Sequence, residues 1–354
     1  MTHPNILAVA DLAIARARGG GASFGPQDHC IPVERYLDPA RLDLEVRRLF
    51  LERALVVGHA SELAQPGACL TRDVAGRSLL LVRDAAGVAR AFLNSCRHRG
   101  TRLCNEPTAI KKALVCPYHG WSYGLDGGLI HVPRAECFPS VHAGAEGAGL
   151  VEVPLRIQHG LLWVVPTPGA AAPLELGPIG EELDSLEVAE HVVFRRSRTS
   201  RRANWKLLIE AFLEGYHIRH LHRDSIYPFF LDCAYAAERV GPHVRTATAR
   251  RAALDAEPRP LREKVTLAYL LFPNTVLIFH PDYVSQVSVL PEATDRMTWD
   301  HTMLVRHAPE GERDAQHFER SFALIEERVF AREDLFIAEE IQAGIATRAQ
   351  SHLI

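Results

Sequence analysis

Between residues 39 and 53 the apolar positions Leu42, Val46, Leu49 and Phe50 return at intervals of three and four, the spacing of a helix that buries one face. The pattern then changes. Residues 54–57, 78–83 and 88–94 are short leucine-rich or β-branched runs separated by turn residues such as Asp84-Ala85-Ala86-Gly87, and they read as strands. Strands of this kind up to about residue 165 predict a small antiparallel β domain. A Pro-, Gly- and Ala-rich stretch, residues 166–180, marks the domain boundary. Beyond it, residues 205–218 read as a helix, and 265–280 and 298–306 as strands. Residues 312–348 read as a long helix with Phe318, Phe322, Ile325 and Val329 along one stripe. Residues 1 to about 30 end in Gly19-Gly20-Gly21 and Gly25-Pro26, and read as a loosely held leader or an arm onto a neighbouring subunit. There is no internal repeat.

The 354 residues suit about two domains. A net charge of -3 gives no reason to expect nucleic acid or an anionic membrane as partner. The longest apolar stretch, 265–279, contains Pro273 and Asn274 and falls short of a membrane span. The run 6–14 is interrupted by Asp11 and followed by Arg16 and Arg18, so it does not read as a signal peptide. A cytoplasmic protein is expected. The seven cysteines are an odd count without a secretion signal, which argues against a disulfide framework. Eighteen histidines are too many for number alone to pick out a site, so spacing must decide.

Two spacings carry chemistry. The first is Cys96-Arg97-His98-Arg99-Gly100 followed by Cys116-Pro117-Tyr118-His119-Gly120-Trp121. Each half offers one thiolate and one imidazole on a tight loop, so two cysteines can hold one iron of a [2Fe–2S] cluster and two histidines the other. Gly100 and Gly120 would let each loop fold closely. Two Cys and two His also suit a structural zinc, although zinc halves usually pair like with like. With Asn94-Ser95 before the first half, Pro66-Gly67 upstream and Asp126-Gly127-Gly128 downstream, this region resembles the N-terminal domain of the Rieske non-haem iron oxygenases. Thr101 and Tyr118 stand where respiratory Rieske proteins carry an extra pair of cysteines, which favours the oxygenase type. Cys104 and Cys137 then read as packing cysteines.

The second spacing lies in the run from Asn204-Trp205-Lys206 to Tyr216-His217 and His222. Two histidines and a carboxylate on one face of an iron leave positions open for oxygen and substrate. His217 and His222 are five apart and diverge on a regular α-helix, so an irregular helix is expected between them. This run resembles the catalytic motif of the same family, which implies His217 and His222 as iron ligands. The third ligand in that pattern is an aspartate on a late helix, and Asp334 is the matching position. His220 has no place in the pattern and reads as a surface residue.

Where most of the family has a bridging aspartate three residues before the first histidine, this chain has Glu214. By resemblance Glu214 would join a cluster histidine of one subunit to an iron-ligand histidine of the next. Glu210, one turn earlier, is the alternative bridge. A glutamate here is similar to the carnitine- and betaine-type branch, which oxidises quaternary ammonium compounds. Phe212, Tyr216, Tyr227, Phe229 and Phe230 could form a cation–π cage, a core, or a pocket for an aromatic ring. Asn274, Phe279, His280 and Tyr283 are candidate pocket walls.

The expected fold is α+β. An N-terminal arm (1–34) precedes an antiparallel β Rieske domain (35–168) and a catalytic domain with an antiparallel sheet and helices (169–354). The resemblance implies a terminal oxygenase subunit that inserts oxygen from O2 into a small organic substrate, with mononuclear Fe(II) beside the cluster. Electrons would come from a separate flavin/iron–sulfur reductase fed by NAD(P)H, and a homotrimer would bring one subunit's cluster near the next subunit's iron. The activities in view are a monooxygenase or demethylase of a quaternary ammonium compound and a mono- or dioxygenase of an aromatic acid. A Rieske electron-transfer protein and a zinc-stabilised binding protein are the readings of other classes.

Overall fold

The short β-branched and leucine-rich runs of the first half pair with their neighbours because each is bounded by a tight turn and carries one apolar face to cover. The computed structural model describes residues 2–19, 29–110, 112–142, 144–171 and 173–354. It divides into two units, Glu45–Leu174 and a second made of Met1–Leu44 with Glu175–Ile354. The later boundary, after Leu174, falls inside the Pro-, Gly- and Ala-rich stretch, and the earlier one comes after Leu44 rather than after residue 34.

The Glu45–Leu174 unit holds three antiparallel sheets. One runs Glu152–Val153, Ala89–Leu93, Arg77–Arg83, Ala68–Val74, Thr108–Ala109. A second joins Leu155–Gln158, Leu161–Val164 and Leu55–His59. The third is a small meander of Leu114–Val115, Ser122–Tyr123 and Leu129–His131. Leu80, Val82, Phe92, Leu114, Trp121 and Tyr123 form a core that also encloses Cys96 and Cys116.

The larger unit is built on a seven-stranded antiparallel sheet. Val192–Arg201 lies on one edge beside Arg296–Val305. The chain then crosses to the far edge and returns strand by strand, through Phe230–Val240, His243–Arg250, Val265–Leu271, Thr275–Phe279 and Tyr283–Ala293. The stretch 265–280 is therefore a hairpin of two strands. Tyr283–Ala293 is buried almost along its whole length, as befits a strand covered on both faces. A long helix follows, in three consecutive segments: Glu312–Phe322, a π-helical stretch Ala323–Asp334, and Leu335–Ala346. Among the described residues no helix is long and apolar enough to cross a membrane.

The N-terminal residues are not a loose leader. Pro4–Gly19 is a helix packed on the strands Phe230–Val240 and His243–Arg250, with Ile6, Val9, Ala10 and Ala13 buried. Fully burying Ile6 and Val9 stabilises this docking by about 1.5–3 kcal/mol each. Gly20, Gly21, Gly25 and Pro26 lie outside the described residues. The helix is tied down further at Glu182, a fully buried carboxylate. Glu182 accepts hydrogen bonds from Asn5 Nδ2 at 3.2 Å, from Tyr269 Oη at 3.0 Å and from the Arg245 guanidinium.

Arg245 is 4% exposed, and without Glu182 its guanidinium is left with the exposed Glu238 while Tyr269 and Asn5 lose their acceptor. Glu182→Ala is expected to destabilise this unit by about 1–3 kcal/mol. Equilibrium urea denaturation followed by tryptophan fluorescence measures it, and an unchanged midpoint would contradict the assignment.

Candidate metal centres

In the smaller unit, two loops close in the same way. Gly100 N–H donates to Cys96 O at 2.9 Å, and Cys96 N–H to Thr101 O at 2.9 Å. Gly120 N–H donates to Cys116 O at 3.0 Å, and Cys116 N–H to Trp121 O at 2.8 Å. Both glycines have left-handed backbone, φ +74° and +72°, which a side chain would strain. Asn94 secures the first loop: its Oδ1 accepts from Leu103 N–H at 2.9 Å and its Nδ2 donates to Cys104 O at 2.7 Å. Tyr123 Oη lies 3.2 Å from Cys96 Sγ and accepts from Arg97 N–H at 3.0 Å.

The four side chains of this centre divide by exposure. Cys96 and Cys116 are buried, His98 is half-buried and His119 is exposed. Burial raises the Cys116 thiol pKa, but the backbone N–H groups of Tyr118 and His119, with Cys96 and Thr101, outweigh it and hold it below the usual range. That favours the thiolate, the ligating form. The rings of His98 and His119 lie 4.7 Å apart, and Trp121 stacks on His98 at 4.9 Å. His98 Nδ1 is buried without a hydrogen-bond partner. An orphan imidazole nitrogen beside two cysteines fits a metal group.

The second centre is in the larger unit. Asn204 caps the helix Trp205–Ala211 by accepting from Lys206 N–H at 3.1 Å. The chain then turns, and a single helical turn, Ile218–Leu221, carries it from His217 to His222. The irregularity expected between the two histidines thus lies before His217. The histidines stand at the two ends of one turn.

Asp334 Oδ1 is 3.9 Å from His217 Nε2 and 3.2 Å from His222 Nε2. One ligand atom from each of the three residues falls within 4.8 Å of the others. The opposite ring nitrogens are held by two further carboxylates. Glu214 Oε1 meets His217 Nδ1, and Glu333 Oε2 lies 2.6 Å from His222 Nδ1 while accepting from Ser225 Oγ at 2.7 Å. Such pairing fixes ring orientation and leaves each Nε2 free as a donor to metal. Burial lowers the affinity of His222 for a second proton, but Asp334 and Glu333 outweigh it and raise its pKa. Three carboxylates around two imidazoles leave a surplus of negative charge that a divalent cation would neutralise.

Asp334 reaches this point because of the π-helical stretch. Ile325, Val329, Phe330 and Asp334 all line the same cavity. In an α-helix, a separation of nine residues, as from 325 to 334, comes out about half a turn off. The wider i→i+5 winding brings both to one face. The cavity has a volume of about 100 Å³, and its wall includes Phe212, Phe230, Tyr235 and His280.

Among the sequence candidates, His217, His222 and Asp334 come together, and Glu214 joins them through His217. Glu210 accepts instead from Tyr36 Oη at 2.7 Å. His220 is exposed. Of the aromatic cage candidates only Phe212 and Phe230 line the cavity. Tyr216 is 70% exposed, Phe229 50% exposed, and Tyr227 lies under the Arg251 guanidinium. Phe330 and Tyr235 take their places. Of the four wall candidates only His280 lines the cavity; Asn274 is bonded to the strand at Val289, Phe279 packs on Tyr269, and Tyr283 stacks behind His280. Sequence reasoning missed Glu333 as the partner of His222, though it stands next to Asp334.

Comparison with known proteins decides what these centres belong to. Residues 53–142 match the family model described as the Rieske [2Fe-2S] domain, and residues 183–354 match that of the ring hydroxylating alpha subunit catalytic domain. The chain belongs to the Rieske non-haem iron oxygenases. A Rieske oxygenase carries a [2Fe–2S] cluster and a mononuclear iron, so the zinc alternative falls away. The chain is 33% identical over 195 residues to the carnitine monooxygenase oxygenase subunit of Escherichia coli (strain K12), 54% of this chain and 52% of that one. It is 34% identical over 223 residues to the glycine betaine monooxygenase oxygenase subunit of Chromohalobacter salexigens, 61% of this chain and 49% of that one. The chain thus spans about half the length of these curated relatives. A crystal structure of a quaternary ammonium Rieske monooxygenase shares the fold at TM-score 0.79 and 21% identity, over 99% of this chain and 91% of that one.

In this Rieske oxygenase, Glu333→Ala is expected to weaken Fe(II) binding by about 10- to 100-fold through loss of the His222 orientation. Competition with a chelator measures the change. The visible spectrum of the cluster should be untouched, and equal iron retention by variant and parent would count against the role.

Proposed function

We propose that the chain is the terminal oxygenase subunit of a two-component monooxygenase acting on a small quaternary ammonium compound. One observation carries this reading: two imidazole Nε2 atoms and one Asp334 oxygen converge in the wall of an apolar cavity, and each imidazole is backed by its own carboxylate. His217, His222 and Asp334 hold the iron, and Cys96, His98, Cys116 and His119 hold the cluster. When bound, the cluster supplies electrons one at a time and the iron activates O2 next to the substrate. A flavin/iron–sulfur reductase that oxidises NAD(P)H is the electron source, and a homotrimer in the cytoplasm is the working assembly.

The remaining steps belong to the side chains. Phe212, Phe230, Phe330 and Tyr235 line the cavity with aromatic side chains, which suits an ammonium group through cation–π attraction. The Glu214 and Asp334 carboxylates add negative potential in the same wall. Glu214 Oε2 accepts from His217 N–H at 3.3 Å and from Tyr216 N–H, which fixes the carboxylate while leaving it 44% exposed. Burial resists its ionisation, but the hydrogen bond and charge of His217 and these N–H groups hold its carboxyl below the usual range. The ionised, exposed edge can accept a cluster-histidine N–H from a neighbouring subunit and so complete the bonded route between the two centres. The activities of the carnitine and glycine betaine relatives support the substrate class.

The test is O2 uptake coupled to product formation, with a surrogate reductase, across a panel of quaternary ammonium compounds and aromatic acids. Coupled turnover of ammonium compounds alone is the expected result. Turnover of aromatic acids alone would replace the substrate assignment. His217→Ala should lose the mononuclear iron and all turnover while the cluster's EPR signal stays intact. Glu214→Gln should retain both metals yet stop reoxidation of the reduced cluster in single-turnover experiments; a parent-like rate would remove Glu214 from the route.

A further inference from the structure

The cavity that holds His217, His222 and Asp334 has a second polar feature in its wall. His280 follows the strand Thr275–Phe279, and its ring stacks on Tyr283 at 4.3 Å. Its Nε2 is 3.3 Å from Ser285 Oγ. Ser285 is fully buried, and the same Oγ is 3.1 Å from His301 Nε2. His301 is fully buried too, and its Nδ1 is 2.9 Å from Glu326 Oε2. Glu326 also accepts from Trp299 Nε1 at 3.2 Å. Only 7% of Glu326 is exposed, yet it lines a different cavity of about 540 Å³ among Arg195, Arg196, Ser197 and Arg332. Three contacts of hydrogen-bond length therefore run unbroken from the wall of the active-site cavity to a separate cavity lined by charged side chains.

We propose that Glu326, His301, Ser285 and His280 form a proton-delivery relay into the active-site cavity. This rests on the oxygenase reading above. Monooxygenation, RH + O2 + 2e⁻ + 2H⁺ → ROH + H2O, consumes two protons per turnover, and more than half of the residues in the cavity wall are Phe, Ile, Ala and Val, whose side chains cannot carry them. A proton taken up by Glu326 from solvent passes to His301 Nδ1. His301 gives its Nε2 proton to Ser285 Oγ, and the Ser285 proton passes to His280 Nε2. His280 releases its Nδ1 proton into the cavity. Only N–H and O–H bonds break and form, and one positive charge enters for each that leaves. Each pass leaves both imidazoles as the other tautomer, and a further pass requires their ring protons to be exchanged. Imidazole suits both positions because it can accept at one nitrogen while donating at the other.

A carboxylate–imidazole pair alone could serve to fasten the late helix to the strand Arg296–Val305. That role ends at His301. It requires neither the Ser285 link nor an imidazole that reaches the active-site cavity. Burial, with the charges of Arg250 and Arg262 and the nearby His301, keeps the His280 ring well below the ordinary imidazole range, so it rests neutral, with one nitrogen to accept and one to donate.

Glu326→Gln tests the relay, because the amide oxygen can still accept from His301 while the side chain no longer takes up a proton. In full-length protein loaded with Zn(II) instead of iron, the ring ¹⁵N resonances of both His301 and His280 should shift, although His280 is two side chains away. In the holoenzyme with its reductase, kcat for O2 uptake should fall at least about tenfold with KM unchanged. The solvent deuterium isotope effect on kcat should rise as well. A folded Glu326→Gln protein with parent-like His280 resonances, kcat and isotope effect overturns the proposal. If that variant does not fold, Ser285→Ala removes the middle hydroxyl without a change of charge, and the same readouts decide. If the parent takes up no O2 with any substrate, the oxygenase reading fails, while the His280 response still shows whether the relay is connected.

Discussion

A neutral imidazole can offer one nitrogen to a metal only when its tautomer is set, and the surest way to set it is a carboxylate on the other nitrogen. Much of the larger unit follows from meeting that condition twice within a few ångströms. Glu214 meets it locally for His217, from three residues away. For His222 the chain must bring Glu333 from 111 residues further along. The same helix must then present Asp334, the very next residue, to the Nε2 side of both rings. Neighbouring residues on a helix diverge by about 100°, so Glu333 and Asp334 can straddle His222 only if the helix passes close beside it. The π-helical winding of Ala323–Asp334 adds the second half of the solution, since it lets Ile325, Val329 and Phe330 line the cavity on the face that ends in Asp334.

The parts of this design that are local in sequence are legible in the residues alone. The cysteine–histidine loops announce themselves because a glycine four residues after each cysteine sets the turn, and everything needed lies within 25 residues. His217 and Glu214 are legible for the same reason. Glu333, Ser285, His301 and Glu326 are not, because their meaning comes from pairings across the seven-stranded sheet and from the late helix laid against it. Tyr283–Ala293 is buried on both faces and so shows no alternation to reveal which residues face inward. The aromatic candidates fail in an instructive way. Tyr216, Tyr227 and Phe229 are near the histidines in sequence but point elsewhere, while Phe330 arrives from the late helix. The N-terminal helix carries two conflicting signals. Ile6, Val9, Ala10 and Ala13 keep the i, i+3, i+4, i+7 spacing of a buried helical face, but the glycines after them suggest a loose leader, and the spacing is the signal that the fold obeys.

The two carboxylates behind the imidazoles have the same chemistry and different surroundings, and that difference assigns them different work. Glu333 is largely shielded, and its Oε2 is shared by His222 and Ser225. Its bonds tie the His222 ring to the Ser225 hydroxyl and so hold the ring in place. Glu214 is nearly half exposed, and its hold comes from the chain around it. The extra methylene that separates it from an aspartate lets the side chain fold back, so that Oε2 meets the backbone N–H groups of Tyr216 and His217 while Oε1 meets Nδ1 of His217. Fixed in this way by its own turn, it keeps lone pairs open to solvent. A glutamate at this place is therefore a carboxylate held from behind, with its outer edge left to accept.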